Sequence, residues 1–136
     1  MQVIASEDVG LAYPLAVSVT YAACQSAREL GMPEARIPLA NAAILLATAP
    51  KSNSAEAAID LAMADGEAGL GRNIPKHLQS PLFKGYKYPH SYPNHYVAQQ
   101  YLPDDIKNKQ YYTFGENKTE QAARDYAEKI GAIKKK

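Results

Sequence analysis

From Ile37 to Ala49 the chain carries only two polar side chains, Asn41 and Thr48. Pro38 suits a helix start, or the first turn of a helix begun at Pro33, and Pro50 ends the segment. A helix that is apolar on every side is ordinarily enclosed on every side. The segment is therefore predicted to be the central helix of a bundle, with Leu39, Ile44 and Leu45 in the core. The whole uncharged run, Ile37 through Pro50, has 14 residues, whereas a membrane span takes about 20. The N-terminus lacks the basic start and apolar run of a secretory leader.

Start and stop signals place the other helices around this one. Residues 14–30 run from Pro14 to the stop at Gly31 without an internal Gly or Pro. Met32 to Arg36 reads as a short connection, and Glu7-Asp8-Val9-Gly10 as a turn. Asn53 with Glu56 three residues on has the spacing of a capping box, and a helix follows over 54–68. Its apolar stripe is Ala55, Ala58, Ile59, Ala62 and Met63, which adds Ile59 and Met63 to the expected core. Asn117 with Glu120 repeats the capping spacing, and Ala123, Tyr126, Ala127 and Ile130 form the stripe of a last helix stopped by Gly131. The terminal lysines 134–136 are expected to fray. The fold class is thus mainly α, a compact helical bundle in one domain over 1–136.

Alanine supplies 23 of the 136 residues, and Leu, Ile, Val and Phe together only 26. Small side chains let helices approach closely but bury little area each, so such a domain gains stability from neighbours. Charge is divided along the chain. Residues 1–70 hold three basic and eight acidic groups, and residues 71–136 twelve and six. Opposite halves favour head-to-tail contact between copies, and the basic half can meet phosphate. The single cysteine, Cys24, excludes an intramolecular disulfide and fits a reducing compartment. In an Ala-rich helix it is expected to be a small buried hydrophobe.

Residues 72–116 differ in kind. A single turn is predicted over 75–79, and one short strand over Gln110 to Phe114. Between them Tyr86, Tyr88, Tyr92, Tyr96 and Tyr101 crowd beside Pro89, Pro93 and Pro103 in a long irregular arm.

No G-x-x-x-x-G-K-[ST] loop is present, and Gly66, Gly69 and Gly71 end a helix rather than open one. His77, His90 and His95 have no metal-binding spacing and no Cys beside them, and no nucleophile has an evident base. Neither a catalytic nor a metal site is expected. Two places carry candidate contacts to an anion or to DNA. One is Lys51, Ser52 and Asn53, with Ser54, at a helix start, where free N–H groups, hydroxyls and an ammonium attract anions; a plain helix cap is the alternative. The other is the arm, with Lys84, Tyr86, Lys87, Tyr88 and His90. Alternating rings and cations stack bases and neutralise phosphates of single strands; alternatively the tyrosines lie down on the alanine helices.

The strings SEDVGLAYP (6–14), GMPEARIPLANAAILLATAPKSNSA (31–55), YKYPHSYP (86–93) and QQYLPDDIK (99–107) resemble the C-terminal domain of the RarA/MgsA family of AAA+ ATPases, which extends to the Werner-helicase-interacting protein. The resemblance covers nearly the whole chain and is less distinct after Phe114. It implies a collar-like domain, as in clamp loaders, that joins subunits into a homo-oligomer, most simply a tetramer. It also implies an ATPase core and lid upstream, which would bind ATP and Mg; this segment itself would bind no cofactor and catalyse nothing. DNA would be contacted through the full-length protein in replication, recombination and repair at stalled forks. Partners would include replication-fork proteins such as single-strand-binding protein, in the bacterial cytoplasm at the nucleoid and away from membranes. The alternative function is a DNA-contacting module built on the Tyr/Lys arm.

Overall fold

Pro14, whose fixed φ suits a helix entrance, and Gly31 bracket a 16-residue helix in the computed structural model of the chain, which describes residues 1–134. Lys135 and Lys136, part of the run expected to fray, lie outside the described residues. The helices are α1 (Gln2–Ile4), α2 (Leu15–Leu30), α3 (Arg36–Thr48), α4 (Ser54–Glu67) and α5 (Lys118–Lys129). The first runs into a π-helical turn over Ala5–Val9 and a 3-10 turn over Gly10–Ala12, where the sequence suggests a simple turn. Pro38 stands in the first turn of α3.

The described residues contain no β-strand, so the fold is mainly α as expected. The strand predicted over Gln110–Phe114 is corrected to an extended segment without a ladder. Its tyrosines are tied by their hydroxyls to acidic side chains rather than by backbone to a neighbouring strand. In the arm, single 3-10 turns form at Lys76–Leu78, Pro89–Ser91 and Pro93–His95. Only the first of these was foreseen.

The chain divides into two compact units. One comprises Met1–Ala58 with Tyr112–Ala123, and the other Ile59–Tyr111 with the described residues from Arg124. The first holds the core. Ala16, Thr20 and Ala23 fall on one stripe of α2 and are buried. They belong to a helix packed against α3, whose buried residues are Ala42 and Leu46. Ala5, Val9, Ala16 and Leu46 form the central cluster, with Leu45 and Ala49 against it. Alanine at the contact is what lets two helix backbones come close. Cys24 is half-buried.

The expectation of an enclosed central helix is corrected. Leu39 and Leu45 are half-buried, but Ile44 is 63% exposed and Ile37 57%. An all-apolar helix does not specify which face turns inward, and this chain covers only one. Ile59 and Met63, expected in the core, are also exposed. The more enclosed stripe of α4 is instead Ser54, Ala58, Ala62 and Asp65. Polar anchors set that rotation: Ser54 bonds Glu120, and Asp65 receives the Lys109 ammonium at 2.7 Å and the Tyr111 hydroxyl at 2.8 Å. In α5 likewise Glu120 is buried, Arg124, Ala127 and Glu128 are half-buried, and the expected Ala123 and Tyr126 face solvent.

In the second unit the buried described residues are Pro103 and Ile106. Polar ties do much of the holding, including the Gly71 N–H on Asp105 at 2.9 Å.

Gly10 has φ +47°, and a Cβ there would lie 2.4 Å from the Ser52 carbonyl oxygen. Nearby, the Ser52 N–H donates to the Asp8 carbonyl at 2.8 Å, so residues 8–10 and 52 are joined backbone to backbone. Gly10→Ala meets both the left-handed strain and the collision. We expect it to lower the unfolding free energy by about 3 kcal/mol or more. A denaturant midpoint equal to the parent's would remove this close approach as a constraint on the fold.

Candidate functional site

Asn53 stands immediately before α4, at the position expected of a cap, with Lys51 and Ser52 leading into it. An anion does sit at this helix start, and it belongs to the chain itself. The Ser54 hydroxyl donates to Glu120 Oε1, as do the Tyr112 hydroxyl at 2.8 Å and the Gly115 N–H at 3.1 Å. The Asn117 amide donates to Oε2. Ser52 donates to Ser54 Oγ at 3.0 Å, one step behind. Glu120 is 2% exposed. The sequence sets a site for an external anion at Lys51, Ser52 and Asn53 against a plain helix cap. The hydroxyls already serve an internal carboxylate, and a second negative charge beside it would be repelled. Lys51 takes no part; its ammonium bonds the Ala49 carbonyl.

All four donors to Glu120 are neutral. Burial pushes its carboxyl upward, but the Ser52 and Ser54 hydroxyls, the Asn117 amide and the Gly115 N–H together outweigh that and hold it at about 2, against an ordinary 4.5. Burial, then the bond to Glu120, raises the Tyr112 hydroxyl to about 12, so it stays a donor. Asn117 also accepts the Glu120 N–H at 3.0 Å. The expected capping pair is therefore real but altered, because the glutamate turns inward to four donors. Gly115 makes room for it: a Cβ there would lie 2.6 Å from Glu120 Oε2. The sequence signal for this node was the Asn117–Glu120 spacing; nothing in it announced Tyr112, Gly115 or the serines as partners.

The arm is the second candidate. Tyr88 is 59% exposed and Tyr101 50%, and Tyr86 and Tyr92 are exposed as well. Tyr96 is half-buried. The arm is nonetheless held. The Gln99 side-chain amide accepts from the Lys87 N–H at 3.1 Å and donates to the Lys87 carbonyl at 2.7 Å, doing the work of a paired strand residue. Lys84 and Lys87 are exposed, and His90 lies between Tyr88 and His95 with ring centroids 5.1 and 4.9 Å apart. His77 is separate, its Nε2 bonded to the Gln100 carbonyl oxygen at 2.7 Å. Among the described residues no three His, Cys, Asp or Glu gather as a metal site, and no helix is long and apolar enough to cross a membrane.

The strings that carried the resemblance meet in pairs. Residues 6–14 meet 50–54 through Gly10 and the Ser52–Asp8 bond, and 86–93 meet 99–107 through Gln99. The distinctive strings of this mainly helical chain thus support one another in two pairs. The family described as MgsA AAA+ ATPase C terminal matches residues 1–131, and the chain belongs to it. Among similar proteins, "Replication-associated recombination protein A" of Bacillus subtilis is 56% identical over 81% of this chain and 28% of its own length. The protein of the same name in Escherichia coli K12 is 36% identical over 80% and 27%. "ATPase WRNIP1" of Dictyostelium discoideum is 33% identical over 82% and 14%. The chain thus spans between 14% and 28% of the lengths of these relatives.

Because the folded Glu120 pKa is lowered, its stabilisation is complete above about 4.5 and is lost as pH falls toward about 2. The shift corresponds to a contribution on the order of 3 kcal/mol. Glu120→Gln should flatten the acid limb of stability against pH in that window, checked by urea unfolding at successive pH values. Tyr112→Phe removes one donor and should cost about 1.5–3 kcal/mol at neutral pH. A wild-type acid limb unchanged by Glu120→Gln would show that other carboxylates carry it.

Proposed function

We propose that this chain is the self-association domain of an AAA+ ATPase acting in replication-associated recombination and repair, and that copies join as a homo-oligomer, most simply a tetramer. The observation that carries the reading is the apolar surface the single chain leaves open. Ile37 and Ile44 stand two turns apart on α3, more than half exposed. Leu15 and Tyr21 on α2, and Ile59 and Met63 on α4, are 55–56% exposed. Ile37 and Ile44, seven residues apart, share one face of α3, and an uncovered apolar helix face suits association. The division of charge, −5 over residues 1–70 and +6 over 71–136, supports contact between unlike halves of two copies.

The names of the relatives support the cellular setting, with ATP and Mg bound by the whole protein rather than by this segment. DNA and fork proteins, single-strand-binding protein among them, would be reached by the whole assembly in the bacterial cytoplasm. The segment itself catalyses nothing on this reading, since its sequence has no phosphate loop to preorganise donors around a triphosphate.

Light scattering at tens of micromolar chain, about the range of weak interface affinities, should give a mass above the monomer. Ile44→Glu should shift it toward the monomer while leaving the monomer folded, because residue 44 is exposed there. For the same reason Ile44→Ala should cost the dissociated monomer less than about 1 kcal/mol, short of the roughly 2–5 kcal/mol of an enclosed aliphatic. A monomer at all concentrations would overturn the proposal. Calorimetry with Mg-ATP should show no saturable binding to this chain.

A further inference from the structure

Between Glu67 and Asp104 there is no carboxylate side chain, while Arg72, Lys76, Lys84 and Lys87 and all three histidines lie there. The same stretch contains the three non-glycine residues with positive φ recorded among the described residues: Phe83 at 41°, Asn94 at 57° and His95 at 53°. Such conformations are costly for residues with a Cβ and gather where a surface is shaped for a ligand. Here His95, with Asn94 before it, belongs to an aromatic strip. Tyr88, His90 and His95 follow one another at 5.1 and 4.9 Å between centroids, tilted by 47° and 51°. Because the rings are tilted, they do not close on one another as a parallel stack, and Tyr88 is 59% exposed. Gln99 fixes the backbone at Lys87 from both its N–H and its carbonyl, and the Ser91 and Tyr92 N–H groups bond the Tyr88 and Pro89 carbonyls at 3.0 Å. The rings are thus presented by an ordered backbone, which lowers the ordering cost of binding.

We propose that the Tyr88–His90–His95 strip is a stacking site for unpaired nucleobases of single-stranded nucleic acid, with Lys84 and Lys87 meeting the adjoining phosphates. Charge favours this occupant over a protein: the uninterrupted positive stretch suits a polyanion. Its exposed rings include phenols and imidazoles beside lysines, not the branched aliphatics that fill an apolar protein interface. The tilt suits a flexible strand, whose successive bases are free to take different planes, better than a duplex, whose bases are already stacked. This inference stands apart from self-association, and a monomeric chain would still carry the strip.

The test is fluorescence anisotropy of the whole chain with a labelled oligothymidylate of about 16 nucleotides, an abasic strand of equal length, and a duplex. The single strand with bases should bind at least about tenfold tighter than the abasic strand and tighter than the duplex. Tyr88→Ala should weaken binding about tenfold with the melting temperature unchanged, and Tyr88→Phe should restore it to within about twofold. Lys84→Ala with Lys87→Ala should make the log–log salt slope shallower by about 1.4. Absence of binding at low salt, equal affinity for the abasic strand, preference for the duplex, or a folded Tyr88→Ala chain that binds like the parent would each overturn the proposal.

Discussion

A buried carboxylate that no cation pairs with among the described residues is ordinarily an expense a small domain avoids, and here one organises the first unit. Glu120 gathers donors from the start of α4, from the extended segment at Tyr112, from the Gly115 backbone and from the cap of α5. These come from parts of the sequence more than sixty residues apart. Their convergence fixes where α5 begins and how α4 is rotated about its axis. An apolar core of alanines is permissive about such matters, because small side chains of similar shape fit in several registers. The directional bonds at Glu120 remove that freedom.

The two units rely on different forces. In the first, α2 packs against α3, with Ala16, Thr20, Ala23, Ala42 and Leu46 buried, and Ala16 and Leu46 share a cluster with Ala5 and Val9. The second has little enclosed apolar volume, and its members are tied side chain to backbone, as at Gln99, His77 and Asp105. Such ties fix local shape without large burial, and they leave Tyr88 and Tyr101 at least half exposed.

The helices were legible because Pro14, Gly31, Pro50 and Gly131 punctuate them, and because 3.6-residue periodicity survives even in alanine-rich sequence. The faces were less legible. On α4 the sequence nominates Ile59 and Met63, whereas the half-buried stripe is rotated to Ala58, Ala62 and Asp65. Hydrophobicity names the residues that prefer to leave water, but not whether this chain or another molecule receives them. At 50–54 the sequence shows hydroxyls at a helix start; the carboxylate they meet comes from residue 120, and no local pattern links positions that far apart. The family strings marked what matters without saying why; their pairing, 6–14 with 50–54 and 86–93 with 99–107, supplies a physical reason.

The contact between Gly10 and Ser52 has an evolutionary corollary. What touches the glycine is the main-chain carbonyl of residue 52, which every amino acid possesses. Position 10 is therefore constrained to lack a side chain whatever stands at position 52. Position 52 is constrained separately, by the hydroxyl it turns toward Ser54. In a set of related sequences these two positions should each be restricted yet vary independently, so a search for correlated substitutions would pass over this close contact in silence.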